Sequence, residues 1–200
     1  MAITDAYATV SQYRSVVGKT DTAQDGDIQT DLAAISRYLD GKMGRFFTRD
    51  VNAVARIYVP EDSGPTLWVD DLSAAPTSIR VDSESDGQYA TTLTTADYEL
   101  LPLNANKGSE PRPYTRIRVT PWGDYSEFVE GVRVEVTARY GWPAVPDAIH
   151  RATIHMTAIL RLETPRATRR IAELGDIMEA SPDAMSIVRQ LTDQYKIWRV

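Results

Sequence analysis

The two histidines are the side chains whose chemistry could most readily support a metal site or acid–base catalysis. His150 and His155 are five residues apart, so on a helix they point about 140° apart. A zinc-binding pair on a helix needs a spacing of four residues with a Glu between them, and the stretch HRATIH has neither feature. We therefore interpret both histidines as hydrogen-bonded helix side chains.

The stretch DSESDG offers the alternating carboxylates of a calcium-binding loop. Asp82, Glu84 and Asp86 stand at every second position before Gly87. Such a loop needs a bidentate Glu at its twelfth position, which is Leu93 in this chain. We interpret the stretch as a solvated acidic hairpin tip.

No other arrangement of residues indicates catalysis. The chain has no cysteine, which excludes disulfides, thiol catalysis and cysteine-based zinc sites. It has no nucleophile elbow, phosphate-binding loop or dinucleotide-binding glycine motif. Asp70 and Asp71 are adjacent, so on a strand they would point to opposite faces. The sequence therefore predicts a protein that is not an enzyme, with no catalytic residue, cofactor or metal site, and nothing supports a hydrolase.

The one basic concentration follows a long apolar segment near the C-terminal end. It consists of Arg161, Arg166, Arg169 and Arg170. Two interpretations stay open. The four arginines form either a solvated helix face or a contact with an acidic partner or with DNA.

The last residues, QYKIWRV, are unusually apolar and aromatic for a chain end. Such side chains at a terminus pack on the same chain or bind a partner protein, and we favour a partner. The predicted contact residues are Tyr195, Lys196, Ile197, Trp198, Arg199 and Val200.

The net charge of −6 is unevenly distributed. Residues 1–50 carry 7 acidic and 6 basic residues, residues 51–144 carry 14 and 8, and residues 145–200 carry 7 and 8. The net charges are therefore −1, −6 and +1. An acidic middle argues against a tight DNA clamp, which needs many Lys and Arg on phosphates. No apolar run approaches the ~18 residues of a membrane-spanning helix, and the N-terminal residues do not form a secretory signal.

Helical periodicity marks both ends of the chain. Thr9 and Gln12 have the spacing of a capping box, and Gly18 stands where a helix would end. A stronger helix follows, whose apolar face is Ile28, Leu32, Ile35, Leu39 and Met43. After residue 145 the pattern returns in a helix that is apolar nearly all round, up to Pro165. A short helix is predicted over 167–179, and Ser181 and Pro182 are predicted to cap and begin a last helix.

The middle of the chain has the two-residue period of β-strands. Short runs rich in Val, Ile, Thr and Tyr alternate with Gly, Pro, Asn and Asp clusters, which is typical of a small antiparallel sheet or barrel. We predict that the strands IRV and VRV around residues 117 and 133 form a hairpin with a long loop. The predicted fold is α+β, with N-terminal helices (1–52), a β-rich insertion (53–140) and C-terminal helices with a docking tail (141–200). The terminal helices are predicted to pack together as one bundle.

The stretch RYGWPAVPDAIHRA connects the β-rich insertion to the third helix. Gly141 permits a tight bend, Trp142 can bury its ring, and Asp147 suits the positive end of the following helix. Pro143 and Pro146 stiffen the connection. We predict that these residues form a structural joint that fixes the angle of the insertion.

Four stretches together resemble head–tail connector (adaptor) proteins of long-tailed bacteriophages and related phage-like particles. They are YATVSQYRSVVG, YLDGKMGRFF, ADYELLPLNANKGSEPRPYTRIRV and ARYGWPAVPDAIHRATIHMTAILRL. They occur in the family's order and touch nearly the full length of the chain. Residues 163–181 depart from the family, which often has a glycine-rich, variable segment there.

The resemblance implies a structural virion protein located at the neck and made in the bacterial host cytoplasm. It implies a ring of about twelve copies under the portal protein. The C-terminal segment would contact the portal, a stopper or tail-completion protein would bind the opposite face, and double-stranded DNA would pass without specific binding. No membrane contact is implied.

The alternative is a tail or baseplate module that binds a carbohydrate or a host protein. Its binding face would consist of Trp68, Tyr89, Tyr98, Tyr114 and Trp122. Packing of these aromatic rings within the sheet is the simpler interpretation.

Overall fold

The computed structural model describes residues 6–105, 107, 109–163 and 182–196. The described helices are α1 (Val10–Val17), α2 (Asp25–Met43), α3 (Asp147–Glu163) and α4 (Pro182–Thr192), followed by a 3-10 helix (Asp193–Tyr195). The strands are β1 (Val54–Tyr58), β2 (Thr66–Leu72), β3 (Ser78–Val81), β4 (Thr91–Thr92), β5 (Tyr98–Leu101), β6 (Tyr114–Val119) and β7 (Val134–Ala138). The described strands form two sheets, and all strand pairs in them are antiparallel. The predicted mixture of helices and antiparallel β-structure is confirmed.

The chain divides into two compact units. Met1–Phe47 and Val145–Val200 make up the first, called here the helical unit, and Thr48–Ala144 make up the second, called the β unit. The predicted boundaries are 52/53 and 140/141. The predicted helix 167–179 and the cap residue Ser181 lie outside the described residues.

Local signals define the first two helices as predicted. Gln12 N donates to Thr9 Oγ1 at 3.3 Å, and Thr9 N donates to Gln12 Oε1 at 2.8 Å, which completes the capping box. Gly18 and Gly44 end α1 and α2. The five apolar residues predicted for the face of α2 are all buried.

The third helix is buried on several sides, as predicted. Ile149, Ile154 and Met156 are at most 2% exposed. Thr153 and Thr157 also lie inside, and each hydroxyl donates to the backbone carbonyl four residues earlier. Leu162 is 86% exposed, so burial does not extend to the end of the helix.

The β unit is built from two sheets that share one core. The first has the strand order β1-β7-β3-β4 and the second β2-β6-β5. Buried side chains from both sheets, such as Leu67, Ile117, Ile79 and Val136, belong to one cluster. The predicted hairpin between the IRV and VRV strands is wrong, because β6 pairs with β2 and β5 while β7 pairs with β1 and β3. Both strands are central, so neither has a free edge for the other.

The DSESDG stretch lies in the turn between β3 and β4, but its first carboxylate is not solvated. Asp82 is 2% exposed, and its carboxylate accepts hydrogen bonds from the backbone N–H groups of Asp86 and Gly87. Glu84 and Asp86 are exposed. The predicted solvated tip therefore needs correction at Asp82, which is the buried cap of the turn.

Candidate interaction surfaces

The C-terminal segment is fixed to the helical unit as far as Tyr195. That residue is 4% exposed, and its ring meets Phe47 edge-on with centroids 5.8 Å apart. Arg45 Nη1 donates to the Tyr195 carbonyl at 3.1 Å. Lys196 is exposed, and the predicted contact residues 197–200 lie outside the described residues. Tyr195 therefore packs within its own chain, and the predicted portal contact stays a prediction.

A polar cluster adjoins these rings. The Tyr7 hydroxyl donates to Asp40 and accepts from Phe47 N at 2.9 Å. Burial raises the pKa of Asp40 to about 6, although the hydrogen bond from Tyr7 and the charge of Arg37 lower it. Burial also raises the pKa of Tyr7 well above its usual range. This cluster ties the N-terminal segment to α2.

The sequence patterns did not predict this cluster. Ser36 and Asp40 are polar residues four apart on α2, beside its predicted apolar face, and both are buried. The Ser36 hydroxyl oxygen accepts from Tyr7 N at 2.9 Å. The helical period could have placed Ser36 and Asp40 on one buried side, but it could not supply the partner from a distant segment.

Arg161 has its acidic partner inside the helical unit. Its guanidinium forms an ion pair with Asp31 of α2 and also contacts Gln24. The Arg161 side chain is only 5% exposed. Its ion pair with Asp31 therefore joins α3 to α2 within the helical unit. Arg166, Arg169 and Arg170 lie outside the described residues, so their predicted contact with an acidic partner or DNA stays a prediction.

The predicted joint contains a close backbone approach within the β unit. Gly141 has φ +98°, and a Cβ atom there would lie 1.8 Å from the Thr48 carbonyl oxygen. Trp142 is 3% exposed, and its Nε1 donates to Asp71 at 3.1 Å. Glycine is therefore required by both conformation and space.

The other joint residues, Pro143, Pro146 and Asp147, follow Trp142 along the chain and lead into α3. Pro143 is half-buried and Pro146 is buried. The Pro146 carbonyl accepts from His150 N at 2.9 Å, so Pro146 caps α3 and Asp147 is its first residue. The role of these residues in fixing an angle stays a prediction.

The five aromatic residues of the alternative binding face differ in their surroundings. Tyr98 and Tyr114 pack against the core of the β unit. Tyr89 lies beside Arg80 of the first sheet, whereas Trp68 is on the second sheet and 69% exposed. Trp122 is 76% exposed in the connection after β6.

β1, one of the two edge strands of the first sheet, carries a charged side chain. Arg56 of β1 lies 3.8 Å from the Tyr140 ring centroid and pairs with Asp70 at 2.8 Å. The Tyr58 hydroxyl donates to the same carboxylate at 3.0 Å, and burial raises the pKa of Tyr58. Charged side chains on an edge strand hinder pairing with another chain, so β1 is not the favoured docking edge.

Exposed acidic residues collect at one end of the β unit. β1 ends and β7 begins at the paired residues Tyr58 and Val134, and Val134 also pairs with Val81 at the end of β3. The Pro65 carbonyl, just before β2, accepts from Val119 N at the end of β6. The connections 59–65, 82–90 and 120–133 therefore meet at this acidic end. They carry seven exposed carboxylates, Glu61, Asp62, Glu84, Asp86, Asp124, Glu127 and Glu130, and one exposed base, Arg133.

The connection that presents Trp122 is held by hydrogen bonds. The Asp97 carboxylate accepts from the Thr94 hydroxyl at 2.7 Å and from Asp124 N at 2.8 Å. The hydrogen bonds from Thr94 and Asp124 lower the pKa of Asp97. Gly123 packs on the Asp97 backbone, where a Cβ atom would lie 2.7 Å from Cα. The Trp122 side chain is therefore presented from an ordered turn.

Metal-binding and membrane-spanning features are not found in the part of the chain that the structure describes. Those residues contain no cluster of three or more His, Asp or Glu side chains arranged to hold a metal ion. None of the described helices combines the length and apolar character needed to cross a bilayer. His155 is exposed and His150 is half-buried on α3.

Comparison with solved structures finds chains from the necks of GTA particles that are similar to this chain. A chain from the neck of an empty GTA (gene transfer agent) particle, computed with C6 symmetry, is similar with a TM-score of 0.55 and 19% identity, over 96% of this chain and 90% of that chain. A chain from the neck of a native GTA particle, computed with C12 symmetry, has a TM-score of 0.46 and 19% identity over 96% and 89%. No protein-family model matches the chain, and no curated protein sequence matches it. At this identity the first likeness shows a shared fold.

Proposed function

We propose that this chain is a structural, non-enzymatic component of the neck of a phage-like particle. The observation that carries the proposal is the shared fold, which extends over 96% of this chain and 90% of a GTA neck chain. The order of the sequence motifs described above supports the same class. Three of the five aromatic residues of the alternative binding face, Tyr89, Tyr98 and Tyr114, are half-buried, which does not favour a carbohydrate-binding module.

In this proposal the copies form a ring of about twelve around the path of the DNA, between the portal protein and a stopper or tail-completion protein. The protein is made in the bacterial host cytoplasm and ends up in the virion. DNA passes without being held, because the β unit carries 15 acidic and 9 basic residues (net −6) and the helical unit 13 of each (net 0). Tight binding to DNA needs many Lys and Arg side chains on phosphates, and neither unit has a net excess of them.

The portal contact is proposed for the residues beyond Lys196. Because Tyr195 is buried against Phe47, a sharp test removes residues 197–200 and keeps the packed segment intact. We expect the truncated protein to lose co-purification with the portal while its unfolding transition stays unchanged. Trp198→Ala should weaken binding, and Trp122→Ala, which removes an exposed ring from the β unit, should not.

Normal portal binding by the chain truncated after Lys196 would rule out this contact. The neck assignment itself is tested separately by locating the chain at the neck of purified particles.

A further inference from the structure

Two neighbouring arginines on β6 have different surroundings. Arg118 lies across from Glu99 of β5 and forms an ion pair with it. Arg116, two residues earlier on the same face, lies between Trp68 of β2 and Leu101 of β5. Neither neighbour is a carboxylate. Arg116 therefore has no ion-pair partner among the described residues, whereas Arg118 has one.

Arg116 is held against an exposed aromatic ring. Its guanidinium carbon lies 4.9 Å from the centroid of the Trp68 ring, and Trp68 is 69% exposed. The Arg116 Nε atom is buried with no hydrogen-bond acceptor in the described part of the chain. An arginine stacked on an aromatic ring has restricted motion and keeps its planar donors for a carboxylate. We call Trp68 and Arg116 the stacked patch.

The acidic end of the same unit has the complementary charge. Its seven exposed carboxylates lie on three connections beyond the strand ends. In a single copy, the row of Thr66, Arg118 and Glu99 lies between the stacked patch and those connections. The carboxylates of one copy's acidic end are therefore suited to the stacked patch of another copy.

We propose that the stacked patch of one copy binds a carboxylate at the acidic end of a second copy. The inference rests on the proposed function, since a ring requires head-to-tail contacts between different surfaces of identical chains. The two surfaces do not overlap, so one copy can bind a neighbour on each side. Trp122 and Val129, both exposed at the acidic end, add apolar area to the contact.

Duplex DNA is the less suitable occupant of the stacked patch. Binding to DNA relies on many cations that contact phosphates, whereas the β unit has a net charge of −6. A carboxylate needs one well-placed guanidinium, which forms two parallel hydrogen bonds with it.

The test measures self-association of the full-length protein by sedimentation over increasing concentration and at two salt concentrations. We expect the wild-type protein to associate, and its affinity to fall as the salt concentration rises. Arg116→Gln should lower the association constant by about tenfold. Arg118→Gln is the matched control, since it removes the same charge from the same face, and it should change association little. A triple variant, Glu61→Lys, Glu84→Lys and Glu127→Lys, should also lose association.

Mixing the Arg116→Gln protein with the triple variant tests directly whether the two surfaces bind each other. The Arg116→Gln protein keeps its acidic end, and the triple variant keeps its stacked patch. An equal mixture should therefore form dimers that grow no further, although neither protein associates alone. Thermal unfolding of each variant checks that it is folded.

Four results would overturn the contact: a wild-type chain that stays monomeric up to about 1 mM, equal effects of Arg116→Gln and Arg118→Gln, no dimers in the mixture, or an Arg116-dependent affinity for duplex DNA in place of self-association. If the chain is present in particle necks while Arg116→Gln assembles normally, only this contact fails. If association depends on Arg116 but the chain is absent from necks, the proposed function fails and the contact stands.

Discussion

Both units bury carboxylates, but the β unit also collects exposed carboxylates at one end. In the helical unit, the Asp31 carboxylate is paired with buried Arg161 and the Asp40 carboxylate accepts from Tyr7. In the β unit, seven exposed carboxylates collect at one end and the unit has a net charge of −6. Buried charges make stability depend on their partners and on pH. Exposed charges change stability little and are available for contacts between molecules.

The two units can be followed separately in solution. Three of the four tryptophans, Trp68, Trp122 and Trp142, are in the β unit. Tryptophan fluorescence therefore reports mainly on that unit, while far-UV circular dichroism reports mainly on the helices. A change in one unit should therefore appear mainly in one of these two signals.

The largest expected effect is that of Gly141→Val in the β unit. The new Cβ atom would lie 1.8 Å from the Thr48 carbonyl oxygen, at φ +98°. We expect a loss of about 4 kcal/mol or more, or failure to fold, measured by urea unfolding with fluorescence. Gly87→Val is the control, because φ there is +84° with no atom within 4 Å, and it should cost about 1–2 kcal/mol. Equal losses would show that the close approach to Thr48 is unimportant.

A smaller loss is expected when the buried ion pair of the helical unit is broken. Arg161→Met leaves Asp31 buried without this partner, so we expect about 3 kcal/mol of destabilisation in the circular dichroism transition. Arg151→Met, on an exposed position of the same helix, should change stability by less than about 0.5 kcal/mol. Similar values for the two variants would remove the contrast between buried and exposed charges.

The pH dependence of the helical unit should come partly from Asp40. Its pKa rises from 3.8 to about 6 in the folded protein, so the folded state binds more protons than the unfolded state between these values. The contribution of Asp40 to stability therefore falls as pH rises from about 4 to 6, by about 2 kcal/mol. Asp40→Asn should remove this fall, and Asp193→Asn at an exposed position should not.

The smallest effect is expected on the outer face of the β unit. Arg80 pairs with Glu135 across the strands, but the Arg80 side chain is 44% exposed. Arg80→Gln should cost less than about 1 kcal/mol in urea unfolding monitored by fluorescence. A loss comparable to that of Arg161→Met would mean that exposed pairs matter as much as buried ones in this protein.

The same comparison explains what could be predicted from the sequence. The helices depend on contacts three or four residues apart, so the Thr9 cap, the end at Gly44 and the apolar face of α2 were all readable. Strand pairing depends on partners far along the chain. The β6–β7 hairpin was predicted because the two strands are close in sequence. In the structure β6 is the central strand of the second sheet, and β7 lies between β1 and β3 in the first sheet.

Candidate surfaces followed the same rule. The exposure of Trp68 and the stacking of Arg116 against it depend on cross-strand register, which the sequence does not provide. The partner of Arg161 is 130 residues away, so the sequence could not distinguish a buried pair from a solvated face. The glycine at 141 was readable, because its position after a strand and before Trp-Pro indicates a tight bend.

The most direct test of the central claim is a cryo-EM map of the neck of particles that contain this chain. The account predicts a ring of copies with the helical unit and β unit of each copy fitted to density, located between the portal and the tail. The map would contradict the account if the chain were absent from the neck, or if its density lay elsewhere in the particle.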